Sequence, residues 1–389
     1  MSRYHAYLKK AVSYLENYQG DQPFSLYCKQ LFATDRKMGA TDRRLIRQYC
    51  YAYFRIGPAF PSLSLADQVV AAVYLLSDKL DPLVSTHKPE WAALFTENLE
   101  ERLQTFPVPF HWDSFLVDAP LFSTGIELKN WLRAQWIQPD VFIRLRPGKE
   151  KKVWEQIDKM NLPAQSIATS CVSFPSSTNL DLIQELNRDF VIQDFSSQQI
   201  GQFFEFMPRT SVKKVWDSCA ASGGKSLLAV DCLSAIQLTV SDIRSSMLIQ
   251  LKNRFKQAGV SSFTWQELNL EKENAVPASF LFDLVIADVP CTGSGTWGRT
   301  PEQRLFYTAA KLNEYVAKQK RILNNLHAAV KPGGYFLYCT CSVFQQENEA
   351  QINWFAQQYG FAIMKMQLFN GSVQKADSLF AALLQKANN

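Results

Sequence analysis

The chain has 389 residues, 47% of them hydrophobic and 20% charged, with a formal charge of +5; this is ample material for buried cores and excludes a wholly disordered polymer. At about 150 residues per domain, that length implies two or three domains. The start, Met1-Ser2-Arg3-Tyr4-His5, leads into no apolar run of signal-peptide length, and no uncharged stretch nears the ~20 apolar residues of a spanning helix, so a soluble, cytoplasmic protein is expected. The eight cysteines form no Cys-x-x-Cys pair, and His5, His87, His111 and His327 lie outside every motif, so neither a disulfide framework nor a metal site is expected.

Residues 1–137 read as an all-α domain. Leu8, Val12 and Leu15 follow helical spacing, as do Leu45, Ile46, Cys50 and Tyr53 after Thr41-Asp42-Arg43-Arg44, where Thr41 is the expected N-cap. Residues 1–56 hold ten Lys and Arg (Arg3, Lys9, Lys10, Lys29, Arg36, Lys37, Arg43, Arg44, Arg47, Arg55) against four acids (Glu16, Asp21, Asp35, Asp42). Such a surplus attracts phosphate backbones, although charge alone equally describes a solvated helical face.

From 138 the period changes. Val141–Leu145 is a strand stopped by Pro147-Gly148, Lys151–Met160 is a helix, and Phe190-Val191-Ile192 is a further strand, so 138–193 reads as a small α/β domain. In 194–389 strands and helices alternate. Val215-Trp216 leads into a glycine turn and a helix over Lys225–Leu233. A strand over Ile236–Val240 ends at Asp242, and a helix over Ser245–Ala258 stops at Gly259. Strands follow at Phe263–Trp265, Asp283–Ala287 and, after the Lys331-Pro332-Gly333-Gly334 turn, Tyr335–Cys339. Alternation of this kind predicts a parallel sheet with helices on both faces and ligands beyond the carboxyl ends of its strands.

Every motif falls at such a strand end. The turn Asp217-Ser218-Cys219-Ala220-Ala221-Ser222-Gly223-Gly224-Lys225 lets backbone approach a ligand closely and presents helix N-terminal amides to a carboxylate. A phosphate loop would need glycine where Cys219 stands, and G-x-G-x-x-G is absent. Asp242 lies 25 residues after Asp217, near the interval at which an acid meets a ribose in nucleotide-binding α/β units. Asn269 can either hydrogen-bond an adenine or cap the turn from Glu271 onward. Cys291 follows Asp288-Val289-Pro290, and Cys341 stands between Thr340 and Ser342. A lone free cysteine is more often a buried small hydrophobe. Two at strand ends beside a cofactor-type turn instead suggest a thiolate that adds to C6 of a cytosine, turning C5 into a carbon nucleophile.

Asp288-Val289-Pro290-Cys291-Thr292-Gly293-Ser294-Gly295 with Arg299-Thr300-Pro301-Glu302 resembles the D-A-P-C-S-G-x-G…R-x-P-D signature of RNA 5-methylcytosine methyltransferases. Tyr338-Cys339-Thr340-Cys341-Ser342-Val343 with Glu347-Asn348-Glu349 resembles their T-C-S…E-E-N-E block, and the glycine turn their D-x-C-A-A-P-G-G-K. Val191 to Gln198 is similar to the segment before the family's catalytic core, and Asp377-Ser378-Leu379-Phe380-Ala381 to its D-G-F-F-x-A ending. The resemblance spans 140–389 and implies a Rossmann-like class I methyltransferase domain, S-adenosylmethionine as cofactor and RNA as partner. It implies Cys341 as nucleophile and Cys291 in product release, with Asp288 and Lys225 nearest the base. The cofactor contacts it implies are Cys219, Ala220, Ala221, Ser222, Gly223, Gly224, Lys225, Asp242, Asn269 and Asp288. The sequence departs from the family pattern at Ser222 (usually proline), Asn269 (aspartate), Gly298 (arginine) and Arg146 (asparagine).

Pro23-Phe24, Leu31-Phe32 and Thr41-Asp42-Arg43-Arg44 are similar to the NusB-type helical RNA-binding domain of the bacterial ribosomal members, which favours 16S rRNA as substrate for a monomeric enzyme. The rivals are the same reaction on tRNA and a non-catalytic RNA-binding assembly factor.

Overall fold

Periodic apolar positions at the N-terminus become helices α1 (Arg3–Asn17), α2 (Phe24–Thr34), α3 (Ala40–Ile56) and α4 (Leu65–Leu76), followed by the shorter α5 (Pro82–His87), α6 (Pro89–Ala92), α7 (Leu99–Thr105) and α8 (Leu128–Ala134). The computed structural model describes residues 2–35, 38–115, 120–233 and 235–388. Ile46, Tyr49, Cys50 and Phe54 of α3 and the whole run Val69–Leu75 of α4 are buried. Thr41 is not the cap of α3. Gly39 takes that place, and Asp42 reaches back to accept its backbone N–H (3.0 Å), because a carboxylate in the first turn satisfies an orphan donor better than a hydroxyl two residues too late.

Two compact units divide the chain, and the first joins Met1–Ala119 and Lys129–Ile137 to a distant segment, Trp297–Thr308. Within that unit the Glu302 carboxylate accepts the Phe24 N–H at the start of α2 (3.1 Å). Arg304 donates to the carbonyls of Phe54 (2.7 Å) and Arg55 (3.0 Å) at the end of α3, while Arg55 donates to those of Gln135 (2.6 Å) and Gly298 (2.9 Å). An acid at a helix start and a base at a helix end satisfy unpaired backbone groups and oppose the macrodipole. The N-terminal basic surplus is correspondingly thinned. Arg55 is buried and Lys10 pairs with Asp35; Lys9, Lys29, Arg44 and Arg47 remain exposed, and Arg36 and Lys37 lie outside the described residues.

The second unit (Pro120–Leu128, Gln138–Thr296, Ala309–Asn389) holds both sheets. The smaller contains β1 (Val141–Leu145), β2 (Gln165–Ala168), β3 (Cys171–Phe174) and β4 (Phe190–Ile192), all antiparallel in the order β2-β3-β1-β4, with α9 (Glu150–Lys159) between β1 and β2 in sequence. After α10 (Phe195–Gln199) the chain forms β5 (Lys214–Asp217), α11 (Gly224–Cys232), β6 (Gln237–Asp242), α12 (Ser245–Ala258), β7 (Phe263–Glu267) and β8 (Phe282–Asp288). Then come α13 (Glu302–Leu305), α14 (Ala309–Leu326), β9 (Val330–Thr340), α15 (Glu349–Tyr359), β10 (Phe361–Phe369) and β11 (Leu379–Lys386).

The large sheet runs β10-β11-β9-β8-β5-β6-β7. Strands β5 to β9 pair in parallel, as expected, but β11 pairs antiparallel with both β9 and β10, so the sheet is mixed. The short connection from β10 to β11 carries no crossover helix, and without one a return strand can only be antiparallel. Alternate side chains build two cores. Val215, Val240, Ile286 and Leu337 pack with α11 and α12, while Trp216, Val285, Phe336 and Tyr338 pack with α14 and α15. From β5 the chain adds β6 and β7 on one side and later β8 and β9 on the other, which makes the β5 end the topological switch point where open α/β sheets bind ligands. Among the described residues no helix is long and apolar enough to cross a membrane.

Candidate active site

The glycine turn leaves β5 at that switch point. Gly223 takes φ +85°, and a Cβ there would lie 2.7 Å from Cε1 of Phe255, so only glycine fits. Helix α11 starts with no side-chain cap, which leaves its first amides open to an anion. The turn is tied to the end of β6 by Ala220 N–H on the Ser241 carbonyl (2.8 Å) and Ala221 N–H on Asp242 Oδ2 (2.9 Å). Asp217 sits beneath it, wholly buried. Its Oδ2 accepts from Ser226 Oγ (2.6 Å) and its Oδ1 has no partner; burial, only partly offset by Ser226, pushes the carboxyl up to about 7. Burial likewise pushes the Cys219 thiol up, which suits a packing role.

Asp242 is buried at the β6 terminus. Beyond Ala221, it accepts from Arg244: backbone N–H (2.9 Å) and Nε (3.0 Å) on Oδ1, and Nη2 (3.3 Å) on Oδ2. Those bonds fill the lone pairs of the carboxylate, so a ribose can reach it only as the exposed Arg244 guanidinium yields. Asn269 follows β7 and spends its side-chain oxygen on the Glu271 N–H (3.0 Å), the turn-capping alternative. The open α11 terminus, the glycine that only a bare backbone can supply, and the Asp242 carboxylate fit the carboxylate and ribose ends of S-adenosylmethionine.

The two cysteines meet because of strand register. Asp288 of β8 is paired with Cys339 of β9, so the residues just beyond each strand emerge side by side, and the sulfurs of Cys291 and Cys341 are 3.3 Å apart. Gly295 closes the arrangement. Its N–H donates to the Cys341 carbonyl (2.8 Å) and its carbonyl accepts from Ser378 N–H (2.9 Å); a Cβ there would sit 2.0 Å from the Ser378 carbonyl oxygen. Three sequence blocks thus meet at one glycine. Ser196 Oγ and Asp194 hold the third from below, on the carbonyl (2.7 Å) and N–H (3.1 Å) of Asp377.

Electrostatics separate the groups. Lys225 Nζ lies 2.6 Å from Asp288 Oδ2. Burial acts to lower the lysine, but the charge of Asp288, then that of Cys339 and the hydrogen bond to Asp288, outweigh it and hold the ammonium above its ordinary value. The hydrogen bond to Cys341, then burial, then the charges of Cys341 and Glu347 hold the Cys291 thiol well above its usual range. Glu347 is a residue whose role the sequence did not disclose. Fully buried, it accepts from Thr292 N–H (2.8 Å), Thr292 Oγ1 (2.6 Å) and Gln319 Nε2 (3.1 Å), and Gln319 also holds the Pro290 carbonyl (3.1 Å). Its only sequence signal was the acidic block after Cys341. Burial raises it, against the bonds from Ser342, Thr292 and Gln319.

Residues 207–383 match the family model described as 16S rRNA methyltransferase RsmB/F. Ribosomal RNA small subunit methyltransferase B of Xanthomonas campestris is 26% identical over 296 residues, 67% of this chain and 66% of that protein. A probable ribosomal RNA small subunit methyltransferase B of Synechocystis is 31% identical over 57% of this chain and 50% of its own length. The chain therefore spans about half to two thirds of these curated relatives. Among solved structures, PH0851 superimposes with a TM-score of 0.70 at 19% identity, covering 97% of each chain. NSun6 from Pyrococcus horikoshii with SFG gives 0.59 at 13% identity, covering 67% of this chain and 94% of that one. The fold is that of a class I methyltransferase.

Proposed function

We propose, from the match of residues 207–383 to the 16S rRNA methyltransferase RsmB/F family model, that the chain methylates C5 of a cytosine in small-subunit ribosomal RNA through a covalent bond between Cys341 and C6. The observation that carries this reading is the pair of sulfurs 3.3 Å apart beside the Lys225–Asp288 ion pair.

S-adenosylmethionine, when bound, supplies a methyl group on a sulfonium; Gly223, Gly224 and the open amides of α11 would take its carboxylate and Asp242 its ribose. The chain's own residues do the rest. Cys341 adds to C6, placing electron density on C5 so that this carbon can bond to the methyl. Asp288 accepts from the exocyclic amine, and the Lys225 ammonium beside it balances its charge. Either sulfur can donate across the 3.3 Å contact, and the Cys291 thiol, held well above its usual range, is the one assigned to keep its proton. Cys291 is the protonated partner and Cys341 the nucleophile. As a base takes the C5 proton, its bonding pair re-forms the C5–C6 double bond and the Cys341–C6 bond breaks with its electron pair on the Cys341 sulfur, with Cys291 alongside to assist. Glu347 fixes the Pro290–Thr292 backbone that carries Cys291.

Labelled S-adenosylmethionine, offered with 16S rRNA and with tRNA separately, tests the function. The expected product is 5-methylcytidine in digests of the rRNA. Label in tRNA alone would move the substrate, and cofactor binding without transfer to either would return the chain to a non-catalytic role.

A further inference from the structure

Strand β1 and the residue after it bring two arginines onto one carboxylate at the end of α11. Arg144 Nη1 lies 2.6 Å from Asp231 Oδ2 and Arg146 Nη2 2.8 Å from Oδ1, with side chains 6%, 13% and 6% exposed in the order Arg144, Arg146, Asp231. Arg254 adds a third guanidinium close enough for Arg144 to act on it, and among the described residues it is met only by neutral oxygens: Asn187 Oδ1 (2.9 Å), Ser222 Oγ (3.3 Å) and the carbonyls of Ser222 and Ile192. Arg144 Nη2 is buried with no partner among the described residues. Three guanidiniums to one carboxylate leave positive charge that the protein itself does not neutralise, and buried charge of that kind is costly unless an anion answers it.

Beside this cluster opens a cavity of about 660 Å³, walled by Arg146 and Asp231 and rimmed by Lys149, Arg188 and Lys256. Among the described residues Lys149 and Lys256 form no ion pair, and Arg188 meets only Glu185, at 3.5 Å with its side chain 65% exposed. The features that would repel an anion are already answered. Asp231 carries two arginines, and the Ala258 carbonyl at the end of α12 accepts from Arg146 Nη1 (2.6 Å). The cavity does not belong to the active site. Both α11 and α12 start at the carboxyl ends of strands and run away from them. At 1.5 Å per residue, Asp231 lies about 10 Å beyond Gly224 along α11, and Lys256 about 16 Å beyond Ser245 along α12.

We propose that this cavity is a phosphate-binding site that grips the backbone of the RNA substrate some nucleotides away from the target cytosine. The assignment rests on the RNA reading above. Its three rim cations stand on separate segments and are long and exposed, which suits successive diesters better than one terminal phosphate enclosed by backbone amides.

The test uses the full chain with Lys149, Arg188 and Lys256 all changed to Ala, three exposed positions outside the catalytic machinery. RNA affinity is followed by anisotropy across a salt series. Each lost phosphate contact should flatten the plot of log affinity against log salt by about 0.7–0.9, so a fall of about 2 is expected, with at least about tenfold weaker binding at low salt. The RNA KM should rise while kcat and cofactor affinity stay at wild-type values. Unchanged slope and affinity in the triple variant would overturn this assignment alone. A wild type that binds no RNA would overturn the proposed function first and this site with it. Inorganic phosphate at constant ionic strength separates the two sources of the ligand: competition with RNA in the wild type, lost in the variant, is expected. Phosphate binding that depends on these residues while RNA binding does not would make this a small-anion site instead.

Discussion

Asp217→Asn should remove a pH dependence of stability that the wild type cannot avoid. The Asp217 carboxyl is wholly buried, has one hydrogen bond, and titrates near 7 in the folded chain against 3.8 when unfolded. Between those values the folded state holds a proton that the unfolded state has released. The stability is therefore fully present below about pH 4, falls as pH rises, and is lost above about 7. A gap of about three pH units corresponds to about 4 kcal/mol, of which about 2.6 kcal/mol falls between about pH 5 and pH 8. Asparagine keeps the shape and the acceptor for Ser226 but cannot ionise. Urea unfolding of both proteins at about pH 5 and pH 8, read through hydrogen exchange of the β5 amides, should show the wild type losing that much more than the variant. Equal losses would mean that the carboxyl is hydrated and ionised, and that the support assigned to the glycine turn is wrong.

Gly295→Ala should cost about 1–3 kcal/mol for the two backbone hydrogen bonds it disrupts and should reduce methylation, since the Cys341 carbonyl is one of the partners; unfolding and activity at wild-type levels would contradict the three-block junction. Asp242→Ala should weaken S-adenosylmethionine binding by roughly 1–3 kcal/mol, whereas Arg244→Ala should leave it equal or tighter by freeing the carboxylate; calorimetry showing Arg244→Ala markedly weaker would make the arginine a cofactor contact instead. Cys291→Ala should form the RNA adduct but release it slowly, giving a denaturant-resistant complex, and product release at the normal rate would remove Cys291 from that step.

Much of the catalytic unit could be read from residue order. β1 and β4 fall on the predicted residues, and Ser245–Ala258 is the predicted helix, because each is bounded by a local signal such as Gly148 or Gly259. β10 and β11 were missed for opposite reasons. The first is an edge strand with most of its side chains exposed, and the second is a continuous apolar run whose period cannot be told from a buried helix. The cysteines were legible as a pair, but their contact follows from the register of β8 on β9, a pairing that no local pattern specifies. The same holds for Glu347 on Thr292 and Glu302 on the start of α2. Each is a side chain answering a backbone or charge demand created by folding. Charge counting misled in proportion. Arg55, one of the ten N-terminal cations, serves the carbonyls of Gln135 and Gly298, whereas the basic cavity draws on Lys149, Arg188 and Lys256, which no run of sequence gathers.

Covalent catalysis by Cys341 is tested most directly with RNA carrying 5-fluorocytidine at the target, since fluorine at C5 cannot leave as a proton and the enzyme–RNA bond cannot resolve. With S-adenosylmethionine present, the wild type should give a denaturant-stable complex whose RNA-linked peptide contains Cys341, and Cys341→Ala should give none. A link mapped to Cys291, or turnover by Cys341→Ala within about tenfold of wild type, ~1.4 kcal/mol in barrier, would contradict it.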